Sequence, residues 1–253
     1  MTATTAPDFV LSAAEFDLVH GALGLGRVPF PLEVPSLGAT MEERAELAAD
    51  AFRSLSGRGY ATGDQLDPRL ADLLRLLGEN DTSVDVMGHI GGPVQALAAV
   101  AGRTGVLAQL VANELWLTEI RPTSLAMSAV SVLPPAEPGP MRSLSLRGEQ
   151  LTSALEEDED DPFGGDYDDE TALARAGLSA QDAARLAELA NTRCAGGQFG
   201  VTHRSARAST LVTWFDTPQG RYLMVSQDSW LSISPADNRR IERRLAEVLS
   251  KLD

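Results

Sequence analysis

The sequence predicts an α+β fold in which a central antiparallel β-sheet, built of meanders, carries flanking helical bundles. Residues 197–233 contain four segments rich in β-branched and aromatic residues, and an amphipathic helix follows them. A diluted copy of the same pattern runs over residues 83–133. Helical segments precede both copies, and this separation of strands from helices is typical of an α+β protein with an antiparallel sheet.

The first half begins with a short strand and a capped helix. Residues 9–11 are strand-like, and Ser12 begins a Ser-x-x-Glu capping box for the helix that follows. Three prolines keep residues 29–35 extended. Thr40 opens a second helix with another capping box, and Asp67 opens a third. The first half therefore has the order strand, helix, helical insert, helix, meander.

The second half repeats this order. A strand and a helix are predicted over 144–155, and a short helix over 169–176. Ser179 is predicted to cap a helix with a clearer sequence pattern, which precedes the second meander. Ser234 and Pro235 predict the start of the last helix, with Ser as the cap and Pro at the first helical position.

Corresponding residues in the two halves are separated by nearly constant distances. Leu146 follows Leu11 by 135 positions. Three pairs within the meanders lie 113 to 115 positions apart: Trp116 and Trp230, Gly105 and Gly220, Pro122 and Pro235. We therefore predict one domain over 1–253, made by internal duplication of two similar halves (about 9–133 and 143–252) with quasi-two-fold symmetry. The Pro-rich segment 134–140 is predicted to be a stiff linker between them.

The net charge of −15 is concentrated in one segment. Residues 156–170 contain ten Asp and Glu and no Lys or Arg, and 156–169 are predicted to form a mobile acidic loop. Because no basic surface dominates, the composition argues against nucleic acid as a partner. The N-terminus lacks a secretory signal, no apolar window is long enough to span a membrane, and Cys194 is the single cysteine. These features predict a cytoplasmic protein without membrane insertion.

Residues that could carry chemistry lack the required spacing. His20, His89 and His203 do not form a metal-binding pattern, and the acidic run has no EF-hand register. The chain contains no Gly-x-Ser-x-Gly elbow, and its glycine-rich stretch at 21–26 lacks the context of a phosphate loop. The sequence therefore predicts no catalytic residue, no metal site and no cofactor.

Two groups of residues leave alternatives open. The first is a basic face on the last helix, formed by Arg239, Arg240, Arg243 and Arg244. It is either a solvated outer face or a docking surface for an acidic partner or for the chain's own acidic loop. The second is the set of tryptophans, Trp116, Trp214 and Trp230. They are core residues of the sheet, or at least one of them lines an exposed groove.

Several motifs together carry a resemblance to a known family. They are GLGRVPFPL at 24–32, VPSLGATMEER at 34–44, GQFG at 197–200 and DTPQGRY at 216–222. With these motifs, nearly the whole chain resembles the EspG family of type VII (ESX) secretion-associated chaperones. The resemblance implies a quasi-two-fold α+β fold and a cytoplasmic protein that is not an enzyme. It also implies binding of secretion substrates that are kept soluble for export.

The resemblance further implies a helical-hairpin partner. In the better-known members this partner is a PE–PPE heterodimer, and the tip of the PPE protein docks against the sheet and the C-terminal helical bundle. Here the connection between two strands of the first meander is only about 91–93, where those members have a longer loop that contacts substrate. A different hairpin, such as a WXG-type protein, is therefore a second candidate. A homodimer is a further possibility.

We expect partner contacts on the second meander and its neighbouring helix. Seven residues are candidates on geometric grounds: Leu189, Arg193, Phe199, Val201, His203, Arg204 and Trp214. The alternative function is a small-molecule-binding or enzymatic α+β domain with a pocket between sheet and helices. An enclosed pocket with converging polar groups would favour that alternative.

Overall fold

A computed structural model describes residues 6–147 and 178–252 of the chain. The predicted acidic loop at 156–169, the short helix at 169–176 and the helix expected to reach residue 155 lie outside these ranges. None of the described helices is long and apolar enough to span a membrane.

The described residues form a large antiparallel sheet and a separate two-stranded one. The strands are β1 Phe9–Ser12, β2 Ala61–Thr62, β3 Gln65–Leu66, β4 Thr82–His89, β5 Pro93–Ala101, β6 Thr104–Val111, β7 Glu114–Ile120, β8 Leu144–Arg147, β9 Ala195–His203, β10 Ala206–Arg207, β11 Leu211–Thr217, β12 Gly220–Gln227 and β13 Trp230–Pro235. In the large sheet the order is β1-β7-β6-β5-β4-β9-β11-β12-β13-β8, with β10 paired to β9. The predicted α+β fold with an antiparallel sheet is confirmed.

Helices flank the sheet on both faces. They are α1 Ala13–Ala22, α2 Met41–Gly57, α3 Pro68–Gly78, α4 Leu125–Val130, α5 Ala180–Thr192 and α6 Asn238–Leu249. The α1 capping box is formed, because the Glu15 N–H donates to Ser12 Oγ and the Ser12 N–H donates to Glu15 Oε2. At α2 only half of the capping box is formed. The Glu43 N–H donates to Thr40 Oγ1, but the Glu43 carboxylate accepts from the Ala39 N–H and not from the Thr40 N–H.

The last helix begins later than the sequence predicted. Ser234 and Pro235 are the end of β13, where Ser234 lies opposite Leu223. The cap of α6 is Asp237, whose Oδ1 accepts from the Arg240 N–H at 2.8 Å. The pairing of β13 with β12 keeps the backbone extended through the position where a Ser-Pro cap would otherwise start the helix.

Outwards from β4 and β9, the two sides of the sheet have the same topology. Each side is a four-strand meander that ends in a strand from the start of its own half, β1 or β8. Leu11 lies opposite Leu115 and Leu146 opposite Leu231, so the two end strands have matching registers. That the halves arose by duplication stays a prediction.

The hairpin registers correct the predicted tryptophan pair. The β6–β7 turn returns at Glu114, opposite Val111, and the β12–β13 turn returns at Trp230, opposite Gln227. Trp230 therefore corresponds to Glu114, and Trp116 corresponds to Ser232. The predicted correspondence is therefore shifted by two residues. Because side chains alternate between faces with a period of two, a shift of two leaves the alternation of apolar and polar residues unchanged.

The sheet buries two main cores, one on each face. On the α6 face, defined by its contact with α4 and α6, the core includes Val84, Val86, Phe199 and Trp214. The opposite face, here the α1 face, packs against α1–α3 on the first half. On its second half, Leu189 of α5 packs against the sheet. Helices therefore cover the two ends of the α1 face.

Candidate functional site

The centre of the α1 face carries a row of side chains that crosses four strands. Gln95, Met87, Gln198 and Thr213 are consecutive cross-strand neighbours on β5, β4, β9 and β11. Met87 is 43% exposed although it lies in a central strand. Around it is a shallow cavity of ≈ 290 Å³, lined by Met87, Arg193, Gly196, Gly197, Gln198 and Thr213. We call this cavity the central groove.

Glycines allow β4 and β9 to approach each other closely beneath the central groove. A Cβ on Gly197 would lie 2.4 Å from the Met87 carbonyl oxygen and 2.7 Å from Gly88 Cα, so β4 and β9 approach closely here. Arg193 reaches over Gly196, since its Nε lies 3.5 Å from where a Cβ on that residue would be. Within the described ranges the Arg193 guanidinium has no ion pair, so its donors remain available to a partner.

A loop from the first half contacts the row of side chains at Gln95, next to the groove. Gln95 Nε2 donates to the Pro31 carbonyl oxygen at 2.9 Å, which fixes the loop beside the row. Phe30, the preceding residue, is 45% exposed, whereas Leu32 is fully buried in the core. Arg44 anchors the other end of the loop by donating to the Leu37 carbonyl oxygen at 2.7 Å. The loop therefore holds an exposed aromatic side chain on a fixed backbone.

An ion pair in which Arg207 is 48% exposed lies next to the row, two residues from Met87 along β4. Asp85 is 3% exposed and pairs with both terminal nitrogens of Arg207. Gly200 leaves room for this guanidinium, because a Cβ there would meet Arg207 Nη2 at 1.7 Å. At the end of the β4–β9 strand pair, on the opposite face by strand alternation, Thr82 Oγ1 and His203 Nδ1 are 2.8 Å apart.

Three of the predicted contact residues are buried on the other face of the sheet. Phe199, Val201 and Trp214 are at most 1% exposed and belong to the core beneath α4 and α6. The prediction that these three residues contact a partner is therefore corrected, because their side chains belong to the core. Strand alternation places their neighbour Gln198 on the groove side instead.

The other four predicted residues are divided between different places. Arg193 lines the central groove. Leu189 is buried against Phe215 and lines a second cavity of ≈ 320 Å³ between α5 and residues 140–142. His203 and the exposed Arg204 lie beyond the Asp85–Arg207 pair, at the turn that leads into β10. The structure therefore brings only Arg193 into the groove.

The three tryptophans differ in their environments. Trp214 is fully buried, as the core prediction required. Trp116 is half-buried and donates its indole N–H to Glu114 at 3.0 Å. Trp230 is 52% exposed, and the Arg147 guanidinium lies 5.6 Å from its ring centre. The core prediction is therefore wrong for Trp230.

Arg221, whose hydrogen bonds connect several parts of the second half, was not identified from the sequence. Arg221 is fully buried and donates from Nε and Nη2 to the two carboxylate oxygens of Asp216, at 2.7 and 2.8 Å. Its Nη1 donates to the Pro134 carbonyl oxygen at 3.0 Å and to Asn238 Oδ1. Its backbone pairs with Glu137 and Gly139, so the predicted linker is docked on β12. The sequence gives little signal for this role, because arginine is almost never fully buried unless it is paired, and its partners here come from distant positions such as Pro134 and Asn238.

Three ionisable groups with lowered pKa values lie on α1, outside both cavities. Burial raises the pKa of Glu15, but donors from Ser12, Ser54 and Arg58 outweigh it and hold that pKa below its usual value. Burial also raises the pKa of Asp17, yet its hydrogen bonds from Arg44 and from the Leu37 N–H lower it overall. Burial lowers the pKa of His20 against the opposing charge of Asp17. These groups hold α1 and α2 together.

Comparison with protein families identifies the chain. The model of the EspG family matches residues 12–247. The chain belongs to the EspG family. It is also similar to the Mycobacterium tuberculosis type VII secretion system chaperone EspG5, whose solved structure contains a PE25–PPE41 dimer. That likeness has a TM-score of 0.72 at 16% identity and covers 95% of each chain. No curated protein matches the sequence.

In this EspG-family chain the connection beside the groove is as short as the sequence predicted. Strand β4 ends at His89 and β5 begins at Pro93. The Ile90 N–H donates to the Gly92 carbonyl oxygen at 2.8 Å, which closes a tight turn. The turn adds no long loop to this edge of the groove.

Proposed function

We propose that this EspG-family chain is a cytoplasmic chaperone-adaptor. It binds a secreted helical-hairpin protein in the central groove and keeps it soluble for type VII export. The observation that carries the proposal is the apolar surface that Met87 exposes in a central strand and Phe30 exposes in a neighbouring loop, within the part of the chain that the structure describes. Family membership over residues 12–247 supports the same function.

The chemistry of the groove fits the tip of a helical hairpin. Such a tip joins the C-terminus of one helix to the N-terminus of the next, so it presents unpaired carbonyl and N–H groups beside apolar side chains. Met87 and Phe30 offer apolar contact. Gln198 and Thr213 both donate and accept hydrogen bonds, and Arg193 donates to carbonyl oxygens at the negative end of a helix.

Covering such a tip suppresses aggregation by mass action. Each large apolar side chain that becomes fully buried contributes about 1.5–3 kcal/mol relative to its exposed state. A chaperone at one hundred times its dissociation constant stabilises the bound form by about 2.7 kcal/mol. A groove with two apolar anchors and several hydrogen-bonding groups is sufficient for reversible capture.

The partner we favour is a PE–PPE-like heterodimer. The similar EspG5 structure contains a PE25–PPE41 dimer. The short β4–β5 turn gives the groove less surface than a long loop would, so a WXG-type hairpin is the second candidate. Homodimerisation of the chaperone itself stays a prediction, which light scattering during size-exclusion chromatography measures directly.

Co-expression with a candidate hairpin substrate tests the proposal. We expect a soluble 1:1 complex with the parent chain, and loss of that complex with Met87→Asp. The matched control is Met127→Asp, because Met127 is 53% exposed on α4, on the other face of the sheet. Circular dichroism melting confirms that both variants fold. Equal complex formation by the two variants would exclude the central groove as the binding site.

The alternative of a small-molecule or enzymatic domain finds less support. The described groups with displaced pKa values lie on α1, α2 and α3, whereas the two described cavities are lined by other residues. Converging polar groups in a cavity are the feature that would favour this alternative.

A further inference from the structure

The outer face of α6 is a second surface that the proposed function does not use. Ile241, Leu245 and Val248 bury one side of the helix in the core. Three exposed arginines lie on the other side: Arg239, Arg240 and Arg243. We call these three the arginine face. Arg244 is different, because it is partly buried and donates to Gln227 and to Glu247.

The arginine face breaks two local rules of helix stability. Arg239 and Arg240 lie in the first turn, where the helix dipole favours negative charge at about 0.3–1 kcal/mol per residue. Arg243 lies four residues after Arg239, and like charges at that spacing destabilise a helix by about 0.2–0.5 kcal/mol. By contrast, α2 carries Glu42 and Glu43 in its first turn. Positions that break local rules are expected at functional sites.

The nearby acidic residues of α6 and its cap, Asp237, Glu242 and Glu247, form no ion pair with these three side chains. In the described part of the chain none of the three arginines forms an ion pair, whereas Arg53, Arg69 and Arg75 each do. Residues 178–252 carry ten Lys and Arg against seven Asp and Glu, although the whole chain has a net charge of −15. The basic surface is therefore local, and it differs in sign from the rest of the molecule.

We propose that the arginine face docks an acidic polypeptide segment of a partner protein. Guanidinium groups bind carboxylates with two parallel hydrogen bonds, and three of them along one helix face match acidic side chains spaced by one helical turn. Met127, which is 53% exposed on the neighbouring α4, offers apolar contact to the same partner. A polypeptide can place its carboxylates away from the exposed Glu247 on α6, whereas a uniformly anionic membrane surface cannot.

The proposed docking is separate from cargo binding. Helix α6 covers the face of the sheet that contains Phe199 and Trp214, and the central groove lies on the opposite face. One partner can therefore occupy the groove while another occupies the arginine face. This is the geometry of an adaptor that joins a cargo to a second, acidic protein.

The test compares two triple variants of the full chain that remove the same charge. The first is Arg239→Gln/Arg240→Gln/Arg243→Gln. The control is Arg53→Gln/Arg69→Gln/Arg75→Gln, whose arginines are exposed but already paired. A fluorescein-labelled peptide of ten glutamates is titrated with each protein by fluorescence anisotropy, at 50 and 200 mM NaCl.

We expect the parent and the control to bind the peptide more weakly at the higher salt concentration. The arginine-face variant should bind it at least about tenfold more weakly, a loss of roughly 1.4 kcal/mol. Its melting temperature should be unchanged or higher, which separates lost binding from lost folding. Met87→Asp should bind the peptide like the parent, so failure of the groove proposal does not affect this result.

Three outcomes overturn the proposal. Equal peptide binding by the two triple variants excludes the arginine face as the site. Binding to phosphatidylserine vesicles without binding to the peptide assigns the face to a membrane surface. Peptide binding that occurs only after the acidic residues of 156–170 are replaced by serine assigns the face to the chain's own acidic run and excludes a separate partner.

Discussion

Replacing Arg221 by methionine should destabilise the second half of the molecule more than any surface change. The guanidinium is fully buried, so methionine fills part of its volume but leaves Asp216 without its counter-charge. Breaking a buried ion pair from one side costs about 3–5 kcal/mol. The Pro134 carbonyl oxygen and Asn238 lose a donor as well. For a chain of this length, about 1 kcal/mol lowers the melting temperature by about 2–4 °C, so we expect a loss of roughly 6–20 °C.

A second variant separates the ion pair from simple packing. Arg221→Met/Asp216→Leu removes both charges, and replacing a buried pair by apolar groups is often neutral. We therefore expect the double variant to melt well above Arg221→Met, as measured by differential scanning calorimetry. The reasoning is refuted if Arg221→Met melts within about 2 °C of the parent, or if the double variant is the less stable of the two.

Two further predictions concern the sheet and the acid stability of α1. Gly197→Ala should destabilise the chain by about 1–3 kcal/mol, since its Cβ meets backbone at 2.4 Å, whereas Gly57→Ala in α2 should stabilise it by about 0.5–1 kcal/mol. Equal urea midpoints for these two variants would contradict this. The depressed pKa of His20 means that stability falls as the pH drops below about 6.5, and the depressed pKa of Glu15 adds a second loss below about 4.3. Melting temperatures from pH 2.5 to 8 should show that His20→Gln removes only the first loss, and an unchanged slope between pH 5 and 6.5 in this variant would count against it.

The fold could be predicted because its signals are local. Strand periodicity, turn residues and capping motifs act within a few residues, and the order of elements followed from them. The predicted start of α6 was wrong because the prediction used only local signals. Ser234 and Pro235 have the chemistry of a cap, but pairing of β13 with β12 is a long-range effect that overrides it. The predicted correspondence between Trp116 and Trp230 was wrong by two residues. Hairpin register depends on turn geometry, which residue identity alone does not determine.

The candidate site could be located only coarsely from the sequence. The expected region, the second meander with its neighbouring helix, contains Arg193 and Gln198 of the central groove. Phe199 and Trp214 were predicted as partner contacts because they are large and apolar. Such residues usually point towards a core, as both do here. The exposure of Met87 could not be predicted, because it depends on long-range packing around a central strand. The family resemblance, in contrast, depended on whole motifs and was confirmed.

Any communication between the two faces of the sheet has one evident structural route. Arg221 contacts Asp216 on β11, the strand that also supplies Thr213 to the groove, and it contacts Asn238 in the first turn of α6. A partner that moved β11 would therefore strain the base of the arginine face. If cargo and acidic partner bind independently, as their separation implies, peptide affinity should be equal with and without cargo. If they are coupled, the coupling should decrease in Arg221→Lys, which keeps the charge but cannot reproduce the paired hydrogen bonds to Asp216.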